Sequence, residues 1–328
     1  MRRSKIVFAA LVIVFSMVAS ASAASINIKA SHGSPLGSAP DEGWKKFKEL
    51  IEARSGGDIA VRIYPNNQLG PDRETTESVQ LGNLHMACPS SSILAPFSKD
   101  VFVLDLFFLF KDRDMAYRVL DGEPGKTILK SLEKSRLKGL GYMENGFRNL
   151  SNSKRPVRTP DDIAGLKIRV MENPLHIAAW KALNANPTPM AFTELFTAMQ
   201  QGTVDGQENP LELIFVQRFH EIQKYITLTG HVYTPYVVVM HKPFFDGLSP
   251  EYQKLVQECM DEAIAVQRAK AKELDEVAKK EIAASGTQIT ELTAEEHALF
   301  REKLVPIREL VREKAGAELT EMFLKATE

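Results

Sequence analysis

The chain has 328 residues with a formal net charge of −1, 25% charged residues and two cysteines. That balance gives no basic stripe for nucleic acid, and two cysteines in a chain of this size do not make a disulfide framework. About 300 residues beyond the first segment are too many for one small core and suit two lobes or one large domain.

Arg2, Arg3 and Lys5 precede an apolar run from Ile6 to Val18, closed by Ala21, Ser22 and Ala23. The run falls short of the roughly twenty residues of a spanning helix, so residues 1–24 read as a secretory signal peptide, cut after Ala23 or Ala24. Its removal takes three positive charges from the formal −1 and leaves −4. The expected compartment is the periplasm.

Ile26 to Ala30 reads as a strand, the helical spacing of Trp44, Phe47, Leu50 and Ile51 after Asp41 as a helix, and Ile59 to Tyr64 as a second strand. A β-α-β opening follows. Asp72 to Leu81 reads as helix, Leu84 to Cys88 as strand, and Met115 to Leu132 as helix. The apolar stretch from Val101 to Phe110, interrupted by Asp105, reads as a buried strand or short helix, and Lys138 to Tyr142 as a strand. Leu166, Ile168 and Val170 alternate with Lys167 and Arg169, and a helix runs from about Pro174 to Leu183. Ser249-Pro250-Glu251 supplies an N-cap, a first-turn proline and an acid. The helix it starts runs to Ala284 before Ser285-Gly286, about 35 residues or roughly 50 Å, long enough to lie along two lobes. Cys259 falls on its apolar stripe and reads as buried and free. A capping box at Thr293 to Glu296 opens the closing helices.

Catalytic signatures are missing from the sequence. Gly122-Glu-Pro-Gly-Lys126-Thr127 has Leu120 where a phosphate-binding loop needs glycine, and His220-Glu221 has Lys224 where a zinc helix needs its second histidine. No metal site and no cofactor are expected. A Ser/His/Asp site built from distant segments would leave no such signature, so a periplasmic enzyme acting on an organic acid stands as one alternative.

Arg169 lies within Leu166-Lys-Ile-Arg-Val170, and Arg148 follows Gly146-Phe147 directly after a strand. A guanidinium forks onto a carboxylate through two parallel hydrogen bonds, which suits both residues to recognition of an acid. Five motifs stand in order: Gln68-Leu-Gly-Pro-Asp-Arg73, Gly146-Phe-Arg148, Gly165-Leu-Lys-Ile-Arg-Val170, Asn186-Pro-Thr-Pro-Met-Ala-Phe192 and Val204-Asp-Gly-Gln-Glu-Asn-Pro210. Together they resemble the solute-binding subunits of the tripartite ATP-independent periplasmic (TRAP) transporters, over essentially the whole chain after residue 24.

The resemblance implies an α/β, two-lobed flytrap fold with a long helix spanning both lobes. Lobe I would comprise 25–145 plus 235–274 and lobe II 146–234 plus 275–328, with crossings near Asp161-Asp162 and Pro235. It implies that Arg169 holds the solute carboxylate, Arg148 assists, Asn209 donates a side-chain amide and Phe192 lines the cleft. For the first lobe, His32, Ser90 and Ser91 follow strand ends, where open α/β sheets bind ligands. Glu74, His231, Tyr233 and Tyr236 are within expected reach. The implied function is capture of a small organic acid for a membrane permease of a small and a large subunit. A loaded receptor for a sensor kinase is the second alternative.

Overall fold

A computed structural model describes residues 24–328. The leader expected over residues 1–24 therefore lies outside the described residues, apart from Ala24.

Nine strands form one sheet: β1 Ile26–Ser31, β2 Ile59–Tyr64, β3 Met86–Ala87, β4 Leu137–Asn152, β5 Lys167–Val170, β6 Asn186–Pro189, β7 Gly206–Asn209, β8 Tyr225–His241 and β9 Gln288–Glu291. Their order is β2-β1-β3-β8-β4-β7-β5-β6, with β9 also on β8. The long strands β4 and β8 pair antiparallel from Leu137 opposite His241 to Asn152 opposite Tyr225. Near the Leu137 end β8 carries β3 and, through it, parallel β1 and β2. Toward the other end β4 carries β7, followed by parallel β5 and β6. Two half-sheets joined by two strands make the two-lobed α/β fold.

Each half has its own apolar core. Trp44, Phe47 and Ile51 of the helix Ala39–Arg54 pack with Ile28, Val61 and Met86 on one side. Leu166, Ile168, Val170 and Trp180 form a core on the other, and Leu195, Ile214 and Phe219 form a neighbouring one. The long helix Pro250–Ala284 serves both halves: Val256, Cys259 and Met260 enter the first core, Ala278 and Ile282 the last. Its start follows from the sequence, since Ser249 accepts a hydrogen bond from the Tyr252 amide and Pro250 occupies the first turn. Thr293 and Glu296 form the expected capping box of the helix Ala294–Ala315. Phe300 and Leu304 of that helix pack with Ile168, whereas Val311 and, on the last helix, Phe323 pack with Leu104 and Leu120. The C-terminal helices thus touch both halves. Both cysteines are buried and free.

Several elements differ from the sequence reading. The helix expected over Met115 to Leu132 is two, Arg113–Asp121 and Glu123–Ser131, because the extended backbone of Gly122 and the ring of Pro124 interrupt the ladder. The Val101–Phe110 run contains a 3-10 helix, Lys99–Asp105. The strand expected over Leu84 to Cys88 shrinks to Met86–Ala87, while that over Lys138 to Tyr142 extends to Asn152. Asp161 and Asp162 sit in a 3-10 turn beside Ile163, which is in the core of Leu166 and Ile168. Pro235 lies opposite Glu144, beside a bulge between Glu144 and Gly146. No helix among the described residues is long and apolar enough to cross a membrane.

Candidate functional site

A cleft between the half-sheets is lined by Arg148, Arg169, Phe192 and Asn209 from one side and by Asp72, Ser90 and Tyr236 from the other. Arg169 reaches it because β5 is short and covered on both faces: Ile168 and Val170 are fully buried and Arg169 itself is only 2% exposed. Its Nε and Nη2 donate to the Met190 carbonyl at 3.1 and 2.8 Å, and its guanidinium stands 5.9 Å from the centre of the Phe192 ring. No carboxylate among the described residues lies within salt-bridge distance of it, and Nη1 has no protein partner there. Burial pushes the guanidinium down to about 10, with the Arg148 charge adding to the shift and Glu208, Glu172 and Asp72 opposing it. At neutral pH it is still a cation. A buried cation without a counter-ion is costly, so this arrangement stores affinity for an anion.

Arg148 is in the opposite condition. It lies on β4 opposite Val232 and grips Glu208 of β7 by two prongs, Nε to Oε2 at 2.5 Å and Nη2 to Oε1 at 2.9 Å. Nη2 also donates to the Glu208 carbonyl. Behind the pair, His231 Nε2 lies 3.1 Å from Glu208 Oε2, and Thr229 Oγ1 lies 2.7 Å from His231 Nδ1. Burial would raise the Glu208 carboxyl, but Arg148 and His231 overcome it and hold the group well below the usual carboxylate range. His231 is pushed down, chiefly by burial, with Glu208 opposing the shift. The Arg148 charge is thus balanced within the protein, and Nη1 is the donor left without a partner among the described residues.

Two glycines explain the local backbone. Gly146 has φ 118° at the bulge after Glu144, a conformation side chains avoid, and the bulge sets Asn145 on the cleft wall. A Cβ on Gly206 would stand 2.2 Å from the Ser151 carbonyl oxygen, so only glycine lets β7 lie against β4 here. Asn209 ends β7, with its amide donating to Gln207 Oε1 at 2.5 Å. These contacts give the Gly-Phe-Arg and Gly-Gln-Glu-Asn motifs their physical content.

On the facing wall, Tyr236 accepts a hydrogen bond from Ser34 at 3.5 Å, and Ser90 forms an isolated bridge with Tyr236. The Ser90 hydroxyl lies 3.7 Å from Met171 Sδ, which belongs to the other half. Asp72 opens the helix Asp72–Leu81, and its Oδ2 accepts weakly from the Ser90 amide at 3.5 Å. Burial pushes its carboxyl up to about 6, while the Ser90 amide and Arg169 pull it down.

Arg169, Arg148, Asn209, Phe192, Ser90 and Tyr236 are brought together in this cleft. The other five expected residues do not line it. His32 is buried 3.7 Å from Asp41, and Ser91 is buried with no partner for its hydroxyl among the described residues. Glu74 is on the exposed face of its helix. The Tyr233 hydroxyl donates to the buried Glu144 at 3.0 Å. His231 stands behind Glu208 rather than on the wall. Asp72, Asn67 and Asn145 line the cleft although sequence reasoning does not single them out. The available signal for Asp72 is its position after Gly70-Pro71, where the loop beyond β2 turns into a helix over the carboxyl ends of parallel strands.

Two half-sheets facing each other across a polar cleft, with a long helix along both, define a solute-binding receptor. The chain belongs to the bacterial extracellular solute-binding proteins, family 7 (DctP), whose sequence pattern matches residues 30–314. It is 40% identical over 301 residues to a solute-binding protein of Verminephrobacter eiseniae, covering 92% of this chain and 88% of that one. The sugar-acid-binding protein DctPAm of Advenella mimigardefordensis, solved with galactonate, superposes with a TM-score of 0.90 at 37% identity, covering 93% and 99%. A TRAP periplasmic solute-binding protein of Sulfurospirillum deleyianum, solved with succinate, gives 0.88 at 33% identity, covering 93% and 100%. The family consists of TRAP receptors and not of enzymes.

Proposed function

We propose that the chain captures a small organic acid in the periplasm and delivers it to a TRAP permease made of a small and a large membrane subunit. The observation that carries this reading is Arg169: a buried guanidinium in the cleft, held by one carbonyl and lacking a carboxylate partner among the described residues. An acid supplies the missing charge and a planar pair of acceptors. Arg148 Nη1 and the Asn209 amide stand ready for the same carboxylate or a neighbouring polar group, and Phe192 packs beside it. The galactonate and succinate bound by the relatives are both carboxylates.

Residues 1–24 act as the secretory leader. Lobe I comprises 25–145 plus 235–274 and lobe II 146–234 plus 275–328, with the last helix reaching back onto the core of lobe I. Mass spectrometry of solute carried through native purification, followed by a thermal-shift screen of organic acids, tests the proposal. At least one carboxylate should raise the melting temperature; a response confined to neutral or cationic compounds would overturn it.

A further inference from the structure

Behind the cleft, two segments from opposite halves run side by side. Ser90 to Leu94 comes after β3, and Leu94 belongs to the core of Val101, Val103 and Leu104. Met171 to His176 follows β5, the strand of Arg169, and leads into the helix Pro174–Ala182, whose Ala179 and Trp180 belong to the core of Ile168. Two contacts join these segments in step. The Ser90 hydroxyl lies 3.7 Å from Met171 Sδ, and two residues further along each segment the Asn173 amide donates to the Ser92 carbonyl at 2.9 Å. The same amide donates to Asp105 Oδ2 at 2.8 Å. Asp105 Oδ1 accepts from the Ser92 hydroxyl, with His176 Nε2 3.1 Å away. Ser92, Asp105 and His176 are wholly buried and Asn173 is 1% exposed. Side chains from both halves thus converge on one buried carboxylate. They do not form a hydrolase triad: Ser92 and Asp105 both lie against Nε2 of His176, and its Nδ1 has no partner among the described residues, so the aspartate does not orient the ring from behind.

We infer that Asn173 is a positioning residue for the solute: its amide fastens the segment after the Arg169 strand to the segment that carries Ser90, which holds the two cleft walls at the spacing where one solute reaches both and slows its release. The inference rests on the proposed reading that a carboxylate binds at Arg169. Asn173 itself stands outside the cleft lining, so it acts through the walls and not by touching the solute. Its two side-chain atoms have separate tasks. Oδ1 caps the helix by accepting from the Leu175 amide at 2.8 Å, and Nδ2 is left to face the other half. Spreading the walls here would take that amide from both of its acceptors at once and leave the Asp105 carboxylate short of a donor. A buried polar group stripped of its partner costs more than an ordinary hydrogen bond contributes, and a carboxylate costs most. Leu175, two residues on, belongs to the same core as Leu94 and Leu104, so an apolar contact between the halves borders the polar one and keeps water from it.

Hydrogen exchange and stopped-flow tryptophan fluorescence on the full purified protein test this with Asn173→Ser, which keeps a capping oxygen and removes the amide. Trp180, on the helix that Asn173 caps, supplies a signal close to the junction. Without solute, the amides of residues 90–94 should exchange at least threefold faster in the variant, although they belong to the other half. A capping role alone would move only residues 174–177. With succinate and with galactonate as probes, release should speed up at least fivefold while association stays within twofold of wild type. Asp105→Asn, which spares the cap, takes the place of Asn173→Ser if that variant fails to fold. Unchanged exchange over residues 90–94, or release within twofold of wild type, overturns the inference. Failure of the underlying reading looks different: Arg169→Ala would bind the probes as wild type does, or neither acid would bind, and the exchange over residues 90–94 would then decide the role of Asn173 alone.

Discussion

Arg148 and Glu208 meet through two parallel hydrogen bonds in a site where both are at most 1% exposed. Removing one partner of such a pair strands the other charge, at a cost of ~3–5 kcal/mol, whereas replacing both by apolar groups is often close to neutral. Arg148→Ala should therefore lower the free energy of unfolding by that order and bring the denaturant midpoint down with it. Arg148→Met combined with Glu208→Leu should recover much of the loss. Urea titrations of the single and double variants decide it, and equal instability of both would mean that His231 and Thr229 also depend on the pair.

Arg169 differs because no carboxylate among the described residues meets its charge, which on the proposed reading is left for the solute. Arg169→Ala should remove roughly 3 to 5 kcal/mol of binding, two to nearly four decades of affinity, with the fold intact. Arg169→Lys should bind well below wild type, since lysine offers a point donor rather than a fork. Calorimetry with the acid found in the screen gives the answer. An Arg169→Ala protein that binds within about threefold of wild type, under roughly 0.7 kcal/mol, would place the anion elsewhere.

The cleft draws Arg169 and Asn209 from one half and Ser90, Asp72 and Tyr236 from the other, so a solute touching both favours the closed arrangement. The connecting strands can accommodate the motion at their irregular points, between Gly139 and Gly141, Glu144 and Gly146, and Arg148 and Leu150. Small-angle scattering should show a smaller radius of gyration when the acid is added. An unchanged radius would count against closure.

Where apolar spacing and caps agree, the sequence reads well: the long helix ends at Pro250 and Ala284 as expected, and Arg169 sits on its expected strand. β8 is hidden for a physical reason. Buried on both faces, it loses the alternation that marks a half-exposed strand, and Pro235 within it argues against a central position. The bulge opposite Pro235 resolves the conflict. Asp105 looks like an interruption of an apolar run, yet it is fully buried and gathers Ser92, Asn173 and His176. No local pattern announces a partner that far along the chain. Asp72 and Asn145 are illegible for the same reason, since their roles depend on which loops the two half-sheets bring together.

Glu212 gives the fold a pH dependence of predictable sign. Its carboxylate accepts from the Ala39 amide at 2.9 Å, joining the helix Leu211–Val216 to the N-terminus of the helix Ala39–Arg54, whose cores are separate. Burial raises its carboxyl to about 7; the Ala39 amide and Arg113 pull it down, and Asp275 and Glu144 push it further up. A carboxyl raised on folding binds a proton that the unfolded chain gives up at its ordinary value near 4.5. Its penalty is absent below that value and grows by about 1.4 kcal/mol for each pH step of one as the solution rises toward 7. Asp72, raised to about 6, acts in the same direction, whereas the lowered carboxyls of Glu208 and Asp41 act only at lower pH. The lowered imidazoles of His231, His85 and His297 oppose this below about 6.5, so the effect of Glu212 is read by difference: from about pH 7.5 to about 5 the wild-type melting temperature should gain on that of Glu212→Gln, which keeps an acceptor at the helix end. Thermal melts of both proteins across that window check it: parallel curves would show that Glu212 is ionised in the folded protein throughout.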